Sequence, residues 1–435
     1  MRPRTIVALD EWLTQAARRR PDHPALDAEG RQLTYGELGA AAARAARRLA
    51  ALGVGDGDRV ATTLPPGLAF CELLHALPRL GAVLVPLSSR GSVRTDARLT
   101  VTAPLTGEEA DVPLRETVDP DAVHSVIHTS GTIGRPKPVE LSYGNHVANA
   151  LASADALGVD PGDRWLCPLP LHHVGGLGVL IRSVINLTTA VVHEPFEVAR
   201  VKDALEAGDV TLASLVPTML ARLRDEGLRK APGLRAIALG GGPIPACLLD
   251  WARATGIPVV PVYGMTETCA QIVAGSPGRP LRGVELEIAA DGEILVRGPM
   301  VAGAELGTDG WLHTGDLGRI DADGLLHVDG RLKELIVTGG ENVAPLEVER
   351  VLLAHPAVAD AGVAGRPDPE WGETVTAFVV LRRPASAEEL RAWCRERLEP
   401  YKAPKTVHEV PALPRNAVGK LLRDRLSGSA PPGGS

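Results

Sequence analysis

The chain has 435 residues, more than one hydrophobic core readily serves, so two or three domains are expected. Hydrophobic residues at 45 % and charged residues at 23 % sit near the globular average, which excludes a disordered chain and a disulfide scaffold. The 46 basic and 53 acidic residues leave a formal charge of -7 with no Lys/Arg block, so no nucleic-acid-binding face is expected.

Five cysteines (Cys71, Cys167, Cys247, Cys269 and Cys394) are scattered and lack CxxC spacing, pointing to a reducing compartment and no zinc site. The opening MRPRTIVALDEWL is too short in its apolar stretch for a signal peptide, and no run of about 18 apolar residues occurs. A cytoplasmic protein without membrane insertion is the expectation.

In chain order, AAAARAARRLAALG at 40–53 reads as a helix stopped by Gly53, followed by the strands DRVATTL and GAVLVPL. From 124 onward HSVIHTS, LRAIALGGG and IPVVPVYG each end in a Gly- or Ser-rich turn, the pattern of an α/β sheet with ligands beyond its strand ends. Past Gly298, Asp-Gly pairs in DGWLHTGD and DADGLLHVDGR predict hairpin turns. Beyond Arg331 a compact α+β pattern follows: ELIVTGG, a helix over 345–355 with Val348, Val351 and Leu352 on one face, ETVTAFVVL, and a helix that Ser386 and Glu389 open as a capping box. The expected division is 1–330, 331–426 and a flexible tail at 427–435, SGSAPPGGS.

The densest chemical signal is TSGTIGRPKP, Thr129 to Pro138. Packed hydroxyls and glycines let N–H and O–H groups converge on a polyphosphate, and Lys137 supplies a cation. It is not a Walker A loop, since Arg135 and Pro136 follow Gly134. The alternative for this loop by itself is a polar surface turn.

The loop resembles the phosphate loop of the adenylate-forming superfamily: acyl-CoA synthetases, peptide-synthetase adenylation domains and luciferases. GGGPIP at 240–245, YGMTET at 263–268, GWLHTGDLGRID at 310–321, GRLKELIVTGGENVAPLEVE at 330–349 and LPRNAVGKLLR at 413–423 follow in the family's order. With TYGEL at 34–38 and LGAVLVPL at 80–87, the resemblance spans nearly the whole chain. It implies a large N-terminal domain of layered sheets and helices and a small mobile α+β C-terminal domain.

The resemblance also implies substrates and roles. ATP is to bind through Thr129, Ser130, Gly131, Thr132, Gly134, Gly240, Gly241, Gly242, Tyr263, Gly264, Thr266, Asp316 and Arg331, with Tyr263 stacking on adenine and Asp316 accepting from the ribose hydroxyls. Glu267 is to hold Mg²⁺, with a turn carboxylate as its alternative. Lys420 is to bridge the attacking carboxylate and the phosphate, the alternative being a surface lysine near the tail. Lys333 stands at the hinge position, and Gly339 and Gly340 in the coenzyme A channel, where a narrow thiol arm must pass backbone closely.

PLHHVGGLGVLIRSVI at 170–185, GNH at 144–146 and MTETCAQI at 265–272 resemble the o-succinylbenzoate-CoA ligase branch of menaquinone synthesis. His173, Gly175, Gly176, Arg182 and Thr268 are then the substrate pocket, and the low bulk of the loop GGLGVL admits a broad ring more easily than a linear chain demands. Arg182 is to receive the carboxylate that does not react, against the alternative of a salt-bridged surface arginine; His173 is alternatively a packed pocket wall. The reaction expected is 2-succinylbenzoate, ATP and CoA to 2-succinylbenzoyl-CoA, AMP and diphosphate. Alternatives are another aryl or acyl-CoA synthetase, a stand-alone adenylation enzyme loading a carrier protein, and a non-catalytic acyl-nucleotide binder; homo-oligomerisation stays open. Ile133 and Pro138 depart from the family's phosphate loop, predicting rearranged phosphate contacts.

Overall fold

The computed structural model describes residues 9–28, 30–89, 95–129, 136–415 and 421–426. Ser130, Gly131, Thr132, Ile133, Gly134, Lys420 and the tail at 427–435 lie outside the described residues.

Local signals open the long helices. Thr34 Oγ1 accepts from Glu37 N–H at 3.2 Å while Glu37 accepts from Thr34 N–H at 2.8 Å. This reciprocal cap starts the helix at Tyr35, ahead of the expected residue 40, and it runs to Ala51. Its alanines Ala42, Ala45 and Ala46 are buried, allowing close packing, and Gly53 with φ +82° turns the chain away. Ser142 and Asn145 form the equivalent box at the start of helix Tyr143–Leu157.

Thirteen strands follow one another in one hydrogen-bonded path among the described residues. Its parallel stretch runs Val259–Met265, Ala236–Leu239, Leu212–Leu215, Arg164–Cys167, Thr189–Val192, Pro24–Ala28. Beyond Val259–Met265 the pairing becomes antiparallel and leads through Ala270–Gly275 and Gly278–Pro280 to Leu326–Arg331, Leu312–Ile320, Glu293–Arg297 and Glu285–Ile288. A second sheet places Leu99–Val101, Arg59–Thr62, Val83–Pro86 and Val123–Thr129 in parallel, with Lys137–Ser142 antiparallel on its edge. The described flanks of TSGTIGRP are thus two antiparallel strands, one ending at Thr129 and the other beginning at Lys137. Pro138 stands on the edge strand opposite His128, where a missing N–H is tolerated.

A third sheet begins at Ile336 and has its own core around Val343, Val348, Leu352, Val363 and Val379. The protein is thus an α/β structure with a large N-terminal and a small C-terminal unit. Strand Leu326–Arg331 still belongs to the large sheet, one residue beyond the expected division. Helix Pro345–Leu353 buries Val348 and Leu352 and leaves Val351 half-buried. Ser386 Oγ accepts from Glu389 N–H at 3.1 Å, but the Glu389 carboxylate lies 3.4 Å from His355 Nε2 instead of returning to the cap. DADG at 321–324 forms the hairpin turn expected, with Gly324 at φ +74°. Asp309–Gly310 is a turn leading into Leu312–Ile320, with the one-turn helix Gly303–Glu305 before it in place of a strand. Among the described residues no helix is long and apolar enough to cross a membrane.

Candidate active site

Asp316 is a strand residue. It lies on Leu312–Ile320, directly across from Arg331. At 5 % exposure its charge needs partners, among them Tyr263 Oη, which donates at 2.9 Å, and Arg331 Nε at 2.8 Å. Burial, and then the nearby Asp316 carboxylate, push the Tyr263 phenol well above its ordinary pKa, so it stays a donor. Tyr263, Asp316 and Arg331 come from separate parts of the sequence and form one cluster.

Strand Val259–Met265 ends in the single turn Thr266–Thr268. Thr268 is buried and spends its hydroxyl on this turn, accepting from Met265 N–H at 3.0 Å and lying 2.8 Å from Ala270 O. Cys269 and Ala270 follow at φ +54° and +89°, left-handed conformations that cost non-glycine residues energy and concentrate at functional turns. The half-buried Glu267 carboxylate meets no ion pair or hydrogen-bond donor among the described residues; its backbone carbonyl accepts from Ala302 N–H at 2.9 Å.

The three glycines at 240–242 differ in what requires them. A Cβ on Gly240 would meet Val262 O at 2.8 Å, so this glycine serves strand packing. Gly241 has φ +82°, and Gly242 faces open space. Gly264 is likewise a packing glycine, at the bulge against Ala270 and Gln271.

Thr129 closes strand Val123–Thr129, its hydroxyl 3.3 Å from Lys137 O. The Lys137 ammonium is paired with the Glu305 carboxylate, whose side chain is mostly buried. Lys137 thus already has an anionic partner, which any phosphate must displace or share.

His173 is the N-cap residue of helix Val174–Asn186 and makes no side-chain cap bond. Burial lowers its pKa to about 4, which keeps the imidazole neutral at physiological pH, and its ring lies 4.4 Å from that of His172. Gly175 has Leu169 in ordinary contact, whereas a Cβ on Gly176 would meet Pro170 O at 2.5 Å. The missing side chain at Gly176 is used by the protein's own backbone. Arg182 is 2 % exposed and is no surface arginine. Its guanidinium lies 5.2 Å from the Trp165 ring centroid, Nε has no hydrogen-bond partner, and no carboxylate pairs with it among the described residues. Burial lowers its pKa to about 10.

Lys333 lies in the short turn Leu332–Glu334 between the last strand of the large sheet and the first of the small one. Gly339 and Gly340, with φ +59° and +86°, form a two-residue turn between Ile336–Thr338 and Glu341–Val343, the geometry of a type I′ hairpin. A Cβ on Gly339 would meet the Trp371 ring at 2.8 Å, so hairpin geometry and Trp371 packing account for this glycine.

The family model for AMP-binding enzyme matches residues 13–99 and 90–304, and that for the AMP-binding enzyme C-terminal domain matches 347–420. The chain belongs to the AMP-binding enzyme family. A 2-succinylbenzoate–CoA ligase of Bacillus subtilis (strain 168) is 40 % identical over 470 residues, covering 95 % of this chain and 97 % of that protein. One from Geobacillus kaustophilus (strain HTA426) is 40 % identical over 479 residues, covering 97 % and 98 %. Among solved structures, the B. subtilis o-succinylbenzoate CoA synthetase in complex with its acyl-adenylate intermediate superposes with a TM-score of 0.89 at 38 % identity, covering 99 % of this chain and 100 % of that one. The B. subtilis enzyme in complex with ATP and magnesium ion gives 0.87 at 39 % identity, covering 97 % and 100 %.

In this AMP-binding enzyme the structure adds residues that sequence reasoning assigned no role. His146, quoted only within GNH, is buried with Nε2 3.0 Å from Ser125 Oγ and Nδ1 3.2 Å from Cys269 Sγ. Burial lowers its pKa to about 3 and raises that of Cys269 to about 12, so the pair is neutral. Glu305 and Glu293 were equally silent, since a single carboxylate outside a motif carries no spacing signal. Among the described residues no group of three or more His, Cys, Asp or Glu side chains could hold a metal by itself.

Proposed function

We propose that this AMP-binding enzyme converts 2-succinylbenzoate, ATP and CoA into 2-succinylbenzoyl-CoA, AMP and diphosphate. The observation that carries the choice of acid is Arg182, a buried guanidinium with no carboxylate partner among the described residues. An unpaired buried cation is costly, so a substrate anion that meets it gains most of what the site has already lost by desolvation. An acid with two carboxylates supplies one to react and one to pair with Arg182.

In the first step a carboxylate oxygen of the acid attacks the α-phosphorus of ATP, a P–O bond forms, and diphosphate leaves. In the second, the coenzyme A sulfur attacks the acyl carbon, a C–S bond forms, AMP leaves, and the thiol proton passes to solvent. Asp316 accepts from the ribose hydroxyls, Arg331 adds a second ribose contact, and the Tyr263 ring stacks on adenine beside Gly241 and Gly242. Thr129 and Lys137, with Ser130, Gly131, Thr132 and Gly134 from outside the described residues, bind the phosphates, Lys137 exchanging Glu305 for them. Glu267 suits Mg²⁺, which takes one or two carboxylates together with phosphate oxygens, and its carboxylate is unengaged among the described residues. When bound there, the ion offsets negative charge on the phosphates. Lys420 stabilises charge at the α-phosphate during the first step.

The same proposal divides the chain into 1–330 and 331–426, with rotation at Lys333 between the two steps, and places the enzyme in the cytoplasm. The change of sheet between Arg331 and Ile336 supports the division, and the free cysteines support a reducing compartment.

The test is ATP–pyrophosphate exchange over a panel of aromatic, aliphatic and amino acids, repeated with coenzyme A and thioester detection. Exchange and thioester formation are expected with 2-succinylbenzoate. No exchange with any acid removes the enzyme reading, and exchange without thioester replaces coenzyme A with a carrier protein.

A further inference from the structure

Strand Leu312–Ile320 does not pair evenly with Glu293–Arg297. Leu295 faces His313 and Glu293 faces Leu317, so Thr314, Gly315 and Asp316 stand opposite Ile294 alone. Such bulges re-aim side chains, and this one carries Asp316. Gly315 sits at φ +68°, and its N–H is met by Glu293 Oε1 at 2.7 Å. Glu293 Oε2 lies 2.8 Å from His313 Nδ1, at the start of the bulge. Thr314 Oγ1 bonds Ile294 O at 2.7 Å and accepts from Asp316 N–H at 3.1 Å. At 8 % exposure Glu293 is a buried carboxylate directed at the backbone that aims Asp316.

We infer that Glu293 is a positioning residue for the nucleotide: by holding the Gly315 bulge closed it aims Asp316, and so sets ATP affinity and selection for the ribose hydroxyls. The inference rests on the reading of Asp316 as the ribose acceptor. A carboxylate that only stabilised the fold would affect all substrates alike. One that aims Asp316 acts on ATP and on its ribose.

The experiment compares ATP with 2′,3′-dideoxy-ATP in pyrophosphate exchange with 2-succinylbenzoate, using the full chain and the variants Glu293→Ala, Glu293→Gln and Asp316→Asn. Removing a charged hydrogen bond predicts a rise of about tenfold in KM for ATP in Glu293→Ala, with KM for the acid and kcat near the parent values. Preference for ATP over the dideoxy analogue falls toward that of Asp316→Asn. Glu293→Gln lies between, because its amide oxygen still accepts from Gly315 N–H. If Asp316→Asn loses the preference and both Glu293 variants keep it, the positioning role is overturned while the ribose reading stands. If Asp316→Asn keeps the preference, the ribose reading fails and takes the inference with it. Should Glu293→Ala not fold, Glu293→Gln decides: a reduced preference supports the role and an unchanged one overturns it.

Discussion

Tyr263 Oη lies 2.9 Å from Asp316 Oδ2, so one hydrogen bond ties the aromatic wall of the candidate nucleotide site to its buried carboxylate. Arg331 holds the other oxygen of that carboxylate at 2.8 Å. The variant Tyr263→Phe keeps the ring and removes the donor while Arg331 remains. A loss of about 1 kcal/mol follows, raising KM for ATP about fivefold with little change in kcat. Steady-state kinetics in ATP check this, and an unchanged KM would separate the phenol from nucleotide binding.

Arg182 sets function against stability. Burial lowers its folded pKa to about 10, well below the ordinary guanidinium range, which corresponds to a cost of roughly 3 kcal/mol while the group is protonated. For a base with a lowered folded pKa this cost is full at neutral pH and relieved only as pH rises through about 10. Arg182→Met keeps a similar apolar length against Trp165 without the charge. Its melting temperature is expected to rise, while KM for 2-succinylbenzoate rises by about 100-fold from the loss of a charge-assisted pair. A benzoate lacking the second carboxylate serves as control. Equal changes in KM for both acids, or a fall in melting temperature, go against the assignment.

These two residues show what the sequence made legible. Asp316 and Arg182 are recognisable because each stands in a motif whose order along the chain is informative. Their environments were not readable: burial of Arg182 depends on Trp165 and on strands distant in sequence, and the bulge under Asp316 depends on a register shift against Glu293–Arg297. Helix and strand existence followed from periodicity, as at 40–53, whereas the caps at Thr34 and Ser142 that set where two helices begin are seen only in the structure. The surroundings of the glycines were the least legible. Gly176, Gly240 and Gly264 admit the protein's own backbone, a close approach set by tertiary packing and not by local sequence.

A pH dependence of the candidate nucleotide site is expected from His313. Hydrogen bonds to Glu293 and Asp309 raise its pKa above the ordinary 6.5. A base with a raised folded pKa contributes stability that is whole below about pH 6.5 and is lost as pH rises through the higher folded value. NMR titration of the imidazole should therefore show a pKa above 6.5, lowered again in Asp309→Asn. Across that same titration KM for ATP should increase, and in His313→Gln the profile should flatten. A titration at or below the ordinary histidine value contradicts the clamp.

Lys420 lies outside the described residues, but both flanks of its segment are fixed. Arg415 and Leu421 form a bridge, and Arg423 pairs with Glu349 and, at 2.8 Å, with Glu334 beside Lys333. Lys420→Ala removes a cation without disturbing these anchors. Adenylation should fall by about 100-fold or more, the usual effect of losing a charge-stabilising contact. Thioester formation from supplied acyl-adenylate should be largely retained, because that step needs no such cation at the α-phosphate. Arg423→Met is the contrasting case: it leaves Glu349 buried without its partner, a loss of about 3 kcal/mol that lowers the melting temperature and impairs both half-reactions together. If Lys420→Ala behaved like Arg423→Met, with equal loss in both halves, the division of labour between the two steps would be wrong.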